Sequence, residues 1–276
     1  MIPASFDYVR ADSLDQATGL LERHGDGAKV LAGGHSLLPL MKLRLAVPEV
    51  LVDIGRIPGL SYVRDGGDHL AVGALTTHDE IARSPLVGSQ LPLLAHVAGQ
   101  IGDPQVRHRG TIGGSLAHGD PASDLPAVVL ALRGTLVLRG PGGSREVDSE
   151  AFHLGFLETA VAPDEILTEI RLPKMGELGW GFEKLTKRAQ DWAIVGAVAA
   201  RLDGDGSTAI ALINVGPVPA RALAAEAALE AGSSPAEAAA QADDGIEVSG
   251  DLNASEAFRR HLTRVLVGRA LEKALV

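Results

Sequence analysis

The chain has 276 residues, 46% of them hydrophobic and 3% aromatic, with 33 glycines, no cysteine and a formal net charge of −10. This is enough apolar sequence for a substantial core and roughly two domains. The acid excess, with no Lys/Arg run, argues against nucleic acid or an anionic membrane as the main partner, and the missing cysteines exclude disulfides, thiolate zinc sites and cysteine-held iron–sulfur clusters from this chain. MIPASFDYVRADSLDQA lacks the basic and apolar regions of a signal peptide, and no apolar run has the length of a membrane span, so the expected location is the cytoplasm.

In chain order, Ser13 or Asp12 caps a predicted helix with Leu14, Ala17, Leu20 and Leu21 on one face, stopping near Gly25. AKVLAGG reads as a short strand breaking into glycines, and LLPLMKLR as a short helix with Ser36 as its cap. EVLVDIG and HLAVGAL read as strands, THDEIA and LPLLAHVAGQI as helices. TIGGSL leads into the apolar helix ASDLPAVVLAL, and TLVLRGPGGSREV forms a hairpin turning at Gly140 to Gly143. From Glu165 to Val215 the pattern is that of a mostly antiparallel sheet, with DGDG as a hairpin turn, and the remainder is helical. Ser234 caps SPAEAAAQA, and Phe258, Leu262, Val265 and Leu266 share a face of the last helix. The glycines of KMGELG suggest a division into residues 1–176 and 177–276.

Two glycine pairs stand about eighty residues apart, in AGGHSL (32–37) and TIGGSL (111–116). A tight turn is the ordinary meaning of either pair alone. Neither belongs to a GxGxxG or a GxxxxGK[ST] fingerprint, so the two commonest nucleotide-binding devices are unsupported. Strand, then Gly33, Gly34, His35 and Ser36, then a helix would aim unpaired backbone N–H groups at an anion. The second stretch adds the Thr111 and Ser115 hydroxyls, and beyond it Asp120 and Asp124 flank Pro121. Asp124 suits either a ligand hydroxyl or the start of a helix. Two such segments facing each other can grip a long diphosphate ligand from both sides.

AGGHSLLPLMKLRLAVPEVLVDIGRIPGL and IGDPQVRHRGTIGGSLAHGDPASDLPAVVLAL together resemble the FAD-binding medium subunit of the molybdenum hydroxylases, of the aerobic carbon monoxide dehydrogenase type, over roughly residues 1–215. The helical end is similar to that family's C-terminal flavoprotein domain. The resemblance implies an α+β fold: a two-part FAD-binding domain of the vanillyl-alcohol-oxidase type, followed by a smaller α+β domain of antiparallel sheet and helices. It implies FAD with its diphosphate between Ala32, Gly33, Gly34, His35, Ser36 and Leu37 on one side and Thr111, Ile112, Gly113, Gly114 and Ser115 on the other. It also implies roles near the ribityl chain or ring for Asp124, for Leu167 in EILTEIRLP and for Lys184 in FEKLTKR; Asp120 joins the candidate set from its place beside the second glycine pair. Ser115 stands where the wider family often has Asn, and His153 where it usually has a second Phe.

His35, His78, His96, His108 and His118 show no metal-ligand spacing, and no metal is expected. No GxSxG elbow supports a hydrolytic triad around Ser36. Arg107 and Arg109 read as solvated residues that pair with carboxylates or a partner. A flavin needs orientation and electrostatics from its protein more than acid or base groups, so no catalytic residue is expected. Without cysteine the chain cannot hold clusters, so the resemblance implies partners: a 2Fe–2S small subunit and a molybdenum-cofactor large subunit in a dimer of heterotrimers, with an external electron acceptor. The competing readings are a self-sufficient FAD oxidoreductase and a flavin-free assembly module.

Overall fold

The computed structural model describes residues 2–202 and 206–276. The helix after Ser13 spans Leu14–His24; the Ser13 hydroxyl accepts the Gln16 N–H at 3.1 Å, and Gly25 ends the helix at φ 51°. That helix connects two strands of a three-stranded parallel sheet, in which Val50–Asp53 lies between Asp7–Arg10 and Ala28–Leu31. The edge strand Asp7–Arg10 is not evident in the sequence. Its burial pattern is nearly all exposed, so it lacks the alternation that marks a half-buried strand.

A five-stranded antiparallel sheet follows, in the order Val63–Asp65, His69–Gly73, Ile166–Pro173, Thr135–Gly140, Gly143–Asp148. The hairpin turns where Gly140 pairs with Gly143, as its glycines suggest. Ile166–Pro173 does not lead the last sheet, as the run from Glu165 suggests: it is the central strand here, paired with Gly73 to His69 on one side and with Arg139 to Thr135 on the other. Helices fill the long connection between these strands. His78–Arg83 starts with a capping box of Thr77 and Glu80, and Pro92–Gly99 buries Leu93, Leu94, Val97 and Ala98.

The third sheet is antiparallel, in the order Trp180–Thr186, Ala193–Arg201, Thr208–Ile213, Ala220–Arg221. Asp203, Gly204 and Asp205 of the DGDG turn lie outside the described residues. The helix Glu256–Ala274 covers this sheet with Leu262, Leu266, Val267, Ala270 and Leu271, whereas Phe258 is exposed instead of sharing that face. Gly179 and Gly181 let the helix come close, because a Cβ at either would overlap the carbonyl of Ala274 or Ala270.

The helix Asp124–Ala131 is buried along its whole length. An all-round apolar helix has to be covered on every side, and this one lies in a single apolar cluster that joins Leu70, Leu136 and Ile170 of the second sheet to Val198, Ala211 and Ile213 of the third. The architecture is α+β, an N-terminal part with a small parallel sheet and a five-stranded antiparallel one, followed by a C-terminal part with an antiparallel sheet. Among the described residues no helix is long and apolar enough to cross a membrane.

Candidate functional site

One cleft of about 660 Å³ is lined by Ala32–Leu37, Thr111, Gly113–Ser115, Asp124, Leu167 and Lys184. It thus gathers most of the residues singled out in the sequence. Two stay outside. Ile112 is fully buried in the core. The Asp120 carboxylate accepts the Ala122 N–H at 2.8 Å and its carbonyl accepts the Ser123 N–H at 3.0 Å, a local turn leading into the buried helix.

The two glycine segments are built differently. After Leu31 the chain leaves the strand, passes Gly34 at φ 79° and enters the helix Leu37–Lys42. Ser36 precedes that helix but does not cap it through its side chain, because its backbone is already helical at φ −101°, ψ −50°. Among the described residues no hydrogen bond uses the backbone N–H of Gly33, Gly34, His35, Ser36 or Leu37; the first in the series to find a partner is Leu38, which donates to Gly34. Consecutive unpaired N–H groups make an anion-binding concavity.

TIGGS, by contrast, is the start of the helix Ile112–His118 and not a loop. Its donors are used within the protein: Ile112 N–H to Thr76, Gly113 N–H to Ala74, Gly114 N–H to the Thr111 hydroxyl and Ser115 N–H to Thr111. This segment therefore presents side-chain hydroxyls and a bare backbone surface. Gly113 is needed for packing, since a Cβ there would sit 2.5 Å from that of Ala74. The two segments also touch. A Cβ on Gly33 would overlap the carbonyl oxygen of Arg109, so the first glycine pair rests directly on the approach to the second. Arg107 donates to the Ile101 and Gly102 carbonyls at 2.9 and 3.2 Å, holding that approach from behind instead of pairing with a carboxylate.

Asp124 and Lys184, sixty positions apart, form an ion pair at 2.7 Å, with side chains 7% and 11% exposed. Burial pushes the Asp124 carboxyl up and the Lys184 ammonium pulls it back. Its other oxygen, Oδ1, is buried with no partner among the described residues. Leu167 reaches the cleft at a β-bulge between positions 167 and 169, where the ladder to Leu138 and Val137 shifts register.

Several lining residues were not evident in the sequence. His78 is buried with Nδ1 unpartnered, and its ring lies against Gly110, where a Cβ would fall 2.8 Å from Cδ2. Burial, with nearby His35 and Arg107 acting in the same direction, pushes its imidazole down to about 4, so it is neutral at pH 7. Its THDE context marks only a helix start. The hairpin His153–Gly155/Glu158–Thr159 brings Leu157 to the rim with φ 57°. His153 itself is partly buried, packs edge-on against Phe152 at 5.0 Å and is pushed down to about 4 by burial. Trp192, 72% exposed, lines the cleft from the loop after Thr186. Lys29 lines it too, so the cleft has two lysines.

Residues 4–175 match the family model described as the FAD binding domain in molybdopterin dehydrogenase, and residues 180–274 match the CO dehydrogenase flavoprotein C-terminal domain. The chain belongs to the FAD-binding medium subunits of the molybdenum hydroxylases. It is 42% identical to the carbon monoxide dehydrogenase medium chain of Hydrogenophaga pseudoflava, over 99% of this chain and 98% of the relative. It is 38% identical to the 6-hydroxypseudooxynicotine dehydrogenase complex subunit alpha of Paenarthrobacter nicotinovorans, over 100% and 96%. Among solved structures, a carbon monoxide dehydrogenase from Hydrogenophaga pseudoflava superposes with a TM-score of 0.95 at 43% identity, covering 100% of this chain and 99% of the other. Quinoline 2-oxidoreductase from Pseudomonas putida 86 superposes at 0.91 and 31% identity, covering 99% and 98%. The chain is thus an oxidoreductase subunit, and its cofactor is FAD.

The cleft fits that cofactor on its own chemistry. Five free N–H groups suit a diphosphate, and an unpartnered buried carboxylate oxygen suits a ligand hydroxyl.

Proposed function

We propose that this chain is the electron-transfer subunit of a cytoplasmic molybdenum hydroxylase, a dimer of heterotrimers in which a 2Fe–2S small subunit and a molybdenum-cofactor large subunit complete the unit. Bound FAD supplies a redox centre that accepts electrons from the clusters singly or in pairs and yields them to an external acceptor. The residues of this chain bind and orient it. The N–H groups of Gly33 to Leu37 hold the diphosphate, and Ser115 and Thr111 face it with their hydroxyls. Asp124 Oδ1 accepts a hydrogen bond from a ribityl or ribose hydroxyl while Lys184 holds the other oxygen, Oδ2. Leu167 lies against the cofactor from its bulge, and the two functional parts divide near residue 176. Substrate is oxidised on another subunit, in keeping with relatives whose names cite carbon monoxide, a nicotine derivative and quinoline. The single observation that carries this reading is the convergence of five unpaired N–H groups and an orphaned buried carboxylate oxygen on one cleft.

Co-purification from the native cell, followed by bleaching of the flavin band on adding substrate, tests the function. A chain that runs alone and is reduced by a small donor without any cluster protein would replace this reading with a self-sufficient oxidoreductase. Mass spectrometry of the released cofactor should find FAD; finding only FMN would sink the diphosphate argument.

His78 should contribute as well. A neutral imidazole with a free Nδ1 at the cleft wall can donate to the cofactor through Nδ1–H at no cost in charge. His78→Phe should weaken FAD binding by about 10- to 100-fold, the worth of a hydrogen bond to a charged group, and His78→Asn should recover part of it because its amide lies near the Nδ1 position. Equal losses in both variants, measured by flavin fluorescence titration, would reduce His78 to a packing residue.

Trp192 offers an optical readout. The chain has two tryptophans, and only Trp192 lines the cleft. Flavin binding should quench tryptophan emission, and Trp192→Phe should remove most of that quenching. If the quenching survives in full, the ring does not lie near this loop.

A further inference from the structure

A second cavity, about 560 Å³, lies at the carboxyl ends of the parallel sheet, lined by Tyr8, Arg10, Ala32, Asp53, Gly55, Arg56 and Arg109. It shares Ala32 with the cofactor cleft, and Arg109, which lines it, lies with its carbonyl against Gly33. Three arginines and one carboxylate line it, and that carboxylate is already occupied by neutral donors: Tyr8 Oη donates to Asp53 Oδ2 at 2.5 Å and the Gly55 N–H to Oδ1 at 2.8 Å. Among the described residues Arg56 and Arg109 have no ion pair and no side-chain hydrogen bond, and Arg10 meets only the exposed Asp12 at 3.4 Å. In a chain with ten more acids than bases, three under-used arginines have been brought together from three separate segments.

We propose that this pocket is a docking site for an acidic segment of another subunit, whose carboxylates pair with Arg10, Arg56 and Arg109. Arginine binds carboxylate through two parallel N–H bonds, and Arg and Tyr are the side chains most enriched at the energetic centres of protein interfaces. The surroundings favour a polypeptide over a nucleotide. Its lining includes no aliphatic slot for a base, while Tyr8, 54% exposed, and Arg10 belong to the edge strand Asp7–Arg10 and alternate onto one face with the exposed Phe6 before them. The inference rests on the multisubunit reading above and adds to it the surface and the chemistry of contact.

The test uses the complex isolated from its native cell. Arg56→Lys and Arg109→Lys keep the charge and place an amine that a carbodiimide can couple, at zero length, to a touching carboxylate. The expected product is a peptide joining position 56 or 109 to an Asp or Glu of another subunit. The doubly reversed variant Arg56→Glu/Arg109→Glu should keep its FAD but dissociate from the complex at least about tenfold more readily, with the difference shrinking as salt is raised. An intact complex that yields no coupling, or coupling to Asp53 alone, with dissociation unchanged by the double reversal, overturns the proposal and leaves the electron-transfer reading standing. Tight binding of inorganic pyrophosphate to the isolated chain, lost in the double reversal while assembly is unaffected, overturns it in favour of a small-anion site. If no complex exists, both readings fall.

Discussion

A Lys184→Met variant is expected to lose about 3–5 kcal/mol of stability at neutral pH, the cost of leaving a buried charge without its partner. Both side chains are almost fully covered, so solvent does not screen the loss. Set against a typical total of about 5–15 kcal/mol, this is a severe defect. The loss should depend on pH in a defined sense. Burial already raises the Asp124 carboxyl above its ordinary value, and removing the ammonium raises it further. A group whose pKa is higher in the folded state stabilises the fold when protonated, and that contribution disappears as pH rises through the folded value. The variant should therefore recover toward acid and weaken steadily as pH increases. Asp124→Asn/Lys184→Met, which removes both charges, should be more stable than Lys184→Met alone while still binding FAD poorly, because Oδ1 no longer belongs to a carboxylate. Urea unfolding at two pH values, with flavin titration of the same samples, reads both effects. If the single variant unfolds at the same urea concentration at both pH values, the pair does not hold an ionised carboxylate.

Gly33→Ala should be nearly as damaging, for a reason that the sequence does not reveal. Read as sequence, Gly33 belongs to a turn that aims backbone N–H groups at an anion. In the structure the space above its Cα is filled by the Arg109 carbonyl, so the first consequence of a methyl group there is to push the two glycine segments apart. Overpacking of this kind costs about 1–3 kcal/mol, and the displacement also spreads the row of N–H groups. Flavin occupancy and thermal midpoint should fall together. Gly114→Ala is the comparison: its Cβ would meet only the Thr111 hydroxyl, at 2.8 Å, a side chain that can rotate at the expense of one capping bond. It should lose less of either property. Full flavin occupancy in Gly33→Ala, with the fold intact, would detach this segment from the cofactor.

These two sites also show where sequence reasoning reaches and where it stops. Ser13 and Gly25 delimit a helix because a side-chain cap and a left-handed stop are local chemistry. The hairpin at Gly140 and Gly143 is legible for the same reason. Ile112–His118 hides its helicity behind two glycines, which are poor helix formers, and is helical because Thr111 caps it and Ala74 and Thr76 bind its first donors. The strand Ile166–Pro173 shows strand character at once, but its sheet depends on partners more than twenty-five residues earlier. The candidate residues 32–37 and 111–115 sit in motifs that can be read off directly. The Asp124–Lys184 pair, the placement of His78 and the arginine pocket all depend on distant segments meeting, which no short motif encodes.

The contrast between the two glycine segments bears on how the subunit matures. The helix Ile112–His118 has its donors satisfied by protein and is complete as soon as the chain has folded. The stretch Gly33 to Leu37 has none of its own, so its order depends on what it holds. Amide hydrogens there should exchange freely before the cofactor is loaded and become protected afterwards, while those of residues 112–115 change little. Loading would then tighten the outer face of a wall whose other side is the arginine pocket, so that a subunit without flavin has a looser surface there than one that carries it.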